Sequence, residues 1–108
     1  MQSYFLIESR DPYASADCST YHDLAGGLAA DGNEVVVFLV ENGVLTAREG
    51  GRNQTLVDLI GRGVKVLADE FSLRERGIGT DRLVAGVGAA PLSTVVDAMA
   101  AGAKTLWH

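Results

Sequence analysis

Hydrophobic positions along this chain fall into two kinds of run. Short, nearly unbroken blocks at Tyr4–Ile7, Val35–Val40 and Val64–Ala68 alternate with segments in which apolar residues recur every three or four positions. A continuous block of four to eight apolar, often β-branched residues predicts a strand covered on both faces; the three-to-four spacing predicts a helix with one buried side.

Taken in order, Tyr4–Ile7 is the first predicted strand, and Ser9, Arg10, Asp11 and Pro12 form the loop after it. From Ala16 the period changes. Cys18, Tyr21, Ala25 and Leu28 share one helical face, Thr20, Asp23 and Asp31 the other, with Ser15 or Asp17 as cap and Gly32 as terminator. Gly26 and Gly27 inside this helix predict close packing against another backbone, or a bend. Val35–Val40 is the second strand, ended by Glu41, Asn42 and Gly43, and Val44–Glu49 is expected to be a short helix. Leu56, Val57, Leu59 and Ile60 form a helical stripe that stops at Gly61–Gly63.

The stretch from Val64 to Gly77 is the pivot, a third strand that breaks abruptly into charge. Phe71–Glu75 is expected to turn once as a helix. Leu83–Val87 is a weaker fourth strand, Pro91 opens a last helix carrying Leu92, Val95, Val96 and Met99, and Ala103–Trp107 is a terminal strand. This alternation predicts a single domain over residues 1–108. Its architecture is three-layer α/β/α, with a mostly parallel sheet of about five strands and flavodoxin- or Rossmann-like topology.

Composition narrows the function. The 108 residues are 47% hydrophobic and 21% charged, with a formal charge of −5, which disfavours a nucleic-acid partner. A single cysteine excludes an intrachain disulfide and fits a reducing compartment. No apolar run is long enough to span a bilayer, and the cationic start of a signal peptide is missing, so a cytoplasmic location is expected. No spacing calls for a metal or a cofactor.

In a parallel sheet, ligands belong beyond the carboxyl ends of the strands, which puts Asp69, Glu70 and Ser72 at the expected site. Asp11 and Glu41 are candidates to converge there, although solvated loop carboxylates are the simpler reading, and Arg74 and Arg76 stand near enough in sequence to neutralise them. The turn from Gly86 to Pro91, with Gly88 at its centre, leads from strand to helix and has the geometry that offers N–H groups to an anion. It lacks the third glycine and acidic residue of a dinucleotide site, so a plain tight turn is the simpler reading. Cys18, in the first turn of the first helix, has a position that favours the thiolate, but it shares the apolar face and reads first as a packed side chain. His22 reads as a helix-surface histidine.

Three segments together resemble the DsrE/DsrF-like family: Asp11-Pro12-Tyr13 before a helix, Val37–Val44, and Ser72–Gly77 ending in Arg-Gly. The resemblance implies a small cytoplasmic α/β protein that forms homo-oligomers, or hetero-oligomers with related subunits, and works with a sulfur-relay partner. Active members pass a persulfide on a cysteine just after the third strand. Counting back from Arg76-Gly77, that position is Asp69, and a carboxylate cannot carry a sulfane sulfur. The expectation is a non-catalytic partner or binding module whose site offers Asp69, Glu70, Ser72, Arg76, Asp11 and Gly88. The alternative is a sulfurtransferase that uses Cys18. A phospho-accepting receiver, suggested by Asp69 and Lys104, is a third and weaker reading, since a hydroxyl at the end of the fourth strand and paired acids after the first are both missing.

Overall fold

Strands form where apolar residues run unbroken, and each helix ends where a glycine lets the chain turn back. The computed structural model describes residues 2–10, 17–50 and 53–108, with residues 17–20 as backbone only. In order, the elements are β1 (Ser3–Glu8), α1 (Asp17–Ala30), β2 (Glu34–Leu39), a 3₁₀ segment (Glu41–Ala47), α2 (Gln54–Gly61), β3 (Lys65–Asp69) and α3 (Glu70–Glu75). A 3₁₀ turn (Thr80–Arg82), β4 (Val87–Ala90), α4 (Ser93–Ala100) and β5 (Lys104–Trp107) complete them.

The four α-helices stop in the same way. Gly32, Gly63, Gly77 and Gly102 have φ between +66° and +97°, and the next residue's N–H bonds back to a carbonyl five positions earlier, as in Ala103 to Ala98 at 2.9 Å. This Schellman closure satisfies the last helical carbonyls and, after α1, α2 and α4, delivers the chain straight into a strand.

The strands make one sheet of order β4-β3-β2-β1-β5, and every pairing is parallel. Alternate residues face opposite sides. Leu6, Val37, Leu39 and Val66 pack with Ala25 of α1, Leu56 and Leu59 of α2 and Leu73 of α3. Phe5, Ile7, Val36 and Phe38 pack with Val95 of α4. Three helices therefore cover one face and a single eight-residue helix covers the other. The handedness rule accounts for this split. Right-handed crossovers from β1 through β4 advance in one direction, and the return from β4 to β5 must cross on the opposite face. The three-layer class is as expected, but it is β5, not β2, that lies outside β1, unlike the flavodoxin order.

Several boundaries differ from expectation. The fourth strand is Val87–Ala90, not Leu83–Val87, because Gly86 adopts φ +95° and turns the chain; Leu83 makes only an isolated antiparallel bridge to Arg48. The expected Val44–Glu49 helix is a 3₁₀ segment that starts earlier, at Glu41. Gly26 does mark close packing, but against the Arg62 guanidinium, 2.8 Å from where a Cβ would stand, and Gly27 faces open space.

Candidate functional site

Asp69 ends β3 and caps α3. Its Oδ2 accepts the Ser72 N–H at 3.0 Å and the Ser72 hydroxyl at 2.7 Å, the three-residue reach of a helix N-cap. Both side chains are buried. Ser72 Oγ in turn accepts the Glu41 N–H at 2.8 Å, tying the loop after β2 to the first turn of α3. Glu41 is held with φ +51°, a left-handed conformation uncommon outside glycine. The Arg76 Nε and Nη2 donate to Asn42 Oδ1 at 3.3 and 3.1 Å, and Nη1 donates to the Ser72 carbonyl at 3.2 Å. The Arg76 guanidinium is thus a clamp between this loop and α3 and not a counter-ion to Asp69.

Glu70 is exposed at the first position of α3. Beyond β3 the chain turns to one face of the sheet, and beyond β4 to the other, so the carboxyl ends of these two strands form the switch point at which such sheets open. Exposed Phe71 and Leu92 stand on either side of it. Asp69, Ser72, Arg76 and the Glu41 backbone are therefore brought together. Gly88, a candidate binding residue, is not among them: it lies inside β4, in register with Leu67, and so belongs neither to an anion-facing turn nor to a plain tight turn. Asp11 lies outside the described residues. Cys18 is the second residue of α1, and its side chain also lies outside them.

A second cluster occupies the same edge at β1 and β5. Glu8, one residue past the expected strand end, points to the α1 face with its side chain 1% exposed. His108 Nδ1 lies 3.0 and 2.9 Å from its two oxygens, and the Arg10 N–H donates to Oε1 at 2.9 Å. The Tyr21 ring stacks on the His108 ring, centroids 4.8 Å apart, and its hydroxyl donates to the Leu106 carbonyl at 2.6 Å. Burial, and then the Glu8 charge, push the Tyr21 hydroxyl's ionisation well up.

His22, expected on the surface, is 4% exposed, and its Nε2 has no hydrogen-bond partner. Burial holds its imidazole below the ordinary value of 6.5, outweighing the pull of Glu8 and Asp23. A buried nitrogen left unpaired is unfavourable by about 1–3 kcal/mol. The one sequence signal for this cluster was the parity of β1: Glu8 continues the inward side of Leu6. His108 gave none. Among the described residues, no three His, Cys, Asp or Glu side chains are placed to hold a metal ion. Nor is any helix there long and apolar enough to cross a membrane.

A parallel sheet covered on both faces, with polar groups gathered at the strand carboxyl ends, defines a doubly wound α/β domain. The chain belongs to the DsrE/DsrF-like family, whose model matches residues 2–107. That is the sulfur-relay type of assignment to which the three segments pointed. Its fold is similar to the ychN protein from E. coli, 23% identical with a TM-score of 0.89 over 100% of both chains. It is also similar to MTH1491 from Methanobacterium thermoautotrophicum, a protein of unknown function, 21% identical with a TM-score of 0.84 over 99% of this chain and 98% of that one. No curated protein matches the sequence.

Proposed function

We propose that this chain is a non-transferring member of its family, an oligomeric partner or binding module in sulfur metabolism. One observation carries the reading. Asp69, at the position the resemblance gives to the persulfide cysteine, has a buried carboxylate engaged in capping α3 and holding Ser72. A cysteine thiolate could hold a sulfane sulfur through an S–S bond; this carboxylate cannot, and serves as a brace. Incubating the purified protein with polysulfide and measuring its intact mass tests this. No sulfur-atom gain is expected, and a stable gain mapping to Cys18 would falsify the reading in favour of a carrier that uses that residue.

Assembly with copies of itself is part of the proposal. Leu92, which caps α4, and Val96 and Met99 within it follow one another at one-turn spacing and are at least half exposed, and Trp107 of β5 is 62% exposed. Apolar surface of this extent on the thinly covered side of a sheet is what interfaces are made from. Light scattering at micromolar concentration is expected to give a mass above one chain, and Val96→Glu with Met99→Glu is expected to lower it. A monomeric wild-type protein would contradict the assembly half of the proposal alone.

A further inference from the structure

We propose that His108, oriented by Glu8, is a proton acceptor in a second site at the carboxyl ends of β1 and β5, serving a small ligand that carries a weakly acidic S–H or O–H. Four observations converge. The Glu8 carboxylate holds Nδ1 of His108 through both oxygens, at 3.0 and 2.9 Å. A ring bonded at Nδ1 directs Nε2 the other way, and Nε2 has no partner among the described residues, while the side chain keeps 18% exposure. The Tyr21 stack and the bonds from Ser9 N and Oγ to the His108 carbonyl, at 2.9 and 2.8 Å, leave the ring little freedom. Beside it, His22 is buried with an unpartnered Nε2, a polar atom that a ligand in this site would satisfy.

A carboxylate behind an imidazole fixes the tautomer and stabilises the imidazolium formed when the far nitrogen takes a proton. The ligand's X–H bond breaks, its electron pair stays on X, and the proton joins His108 Nε2. The product is an X anion beside an imidazolium–carboxylate pair. No electrons are exchanged and no co-reactant is needed. Among the described residues, Glu8 from β1 and Tyr21 and His22 from α1 face His108. Tyr21 and Glu8 are positioning residues. The alternative is that the pair only fastens β5 to β1.

Diethylpyrocarbonate separates the two roles. It acylates a neutral, accessible imidazole nitrogen, releasing ethanol and carbon dioxide, and peptide mapping assigns the site. On the folded protein at a pH above the imidazole range, His108 is expected to react severalfold faster than a histidine in a short unstructured peptide, and Glu8→Gln is expected to slow it severalfold. If the pair is only a fastener, Glu8→Gln frees the ring and His108 reacts faster. That result, or a wild-type rate no greater than the peptide's, overturns the proposal. Should Glu8→Gln lose its near-ultraviolet circular dichroism, the wild-type rate alone decides.

Discussion

Two carboxylates stand on one edge of the same sheet, roughly 10 Å apart across β2, and are used in opposite ways. Asp69 bonds to a residue three positions along its own chain and so serves local structure. Glu8 bonds to an imidazole one hundred residues away, beside a second buried imidazole. The comparison teaches that burial of a carboxylate does not by itself mark chemistry. What the carboxylate holds does: Asp69 holds a backbone amide and a hydroxyl that are both fully used, whereas Glu8 holds a ring with a nitrogen to spare.

The difference is open to measurement, beginning with the largest expected effect. Glu8→Ala truncates a buried side chain and removes the acceptor of the His108 ring and the Arg10 N–H, and is expected to destabilise the protein by about 3–5 kcal/mol in urea unfolding. Gly43→Ala tests the link between the clusters. The added Cβ would collide with the Glu8 carbonyl oxygen, backbone against backbone, so a loss of about 3 kcal/mol is expected. Asp69→Ala removes a cap and a buried hydroxyl's partner, about 1–2 kcal/mol by the same assay. If Asp69→Ala proves costlier than Glu8→Ala, the contrast drawn between them is wrong.

The smallest effect concerns pH. His22 is held below its ordinary value by burial, so beneath about pH 6.5 the unfolded chain binds more protons than the folded one. The stability contributed by neutral His22 is therefore present above that pH and lost as pH falls. The wild-type thermal midpoint is expected to drop more steeply between about pH 7 and 5.5 than that of His22→Gln, with the Glu8–His108 pair common to both. Parallel curves would show that His22 is solvated and outside the cluster.

What the sequence revealed follows the same division. Helix stripes, glycine terminators and apolar strands are local signals, so α1, β2, α2 and β3 were legible to within a few residues. Asp69 and Ser72 were legible as well, since a cap and its helix are neighbours in sequence. The fourth strand was misplaced because Val84 and Ala85 look as strand-like as Ala89 and Ala90, and only the turn at Gly86 decides between them. The Glu8–His108 contact was invisible because it depends on β5 returning to the outer edge of β1. His22 was misread for the same reason: it is buried near Glu8 and His108, groups far from it in sequence.

That return of β5 has a consequence for how the molecule is made. Pairings within β1 to β4 join strands that follow one another, but β1 meets β5 only after nearly the whole chain is available. Long-range closure of this kind is slow, because the loop entropy is lost before any contact compensates it. A ribosome-bound chain can therefore complete the Asp69 brace early, while Glu8 waits as an unpaired carboxylate on a nascent edge strand. The Glu8–His108 bond is thus a marker of completed folding, and its appearance in a refolding time course should coincide with the last kinetic phase.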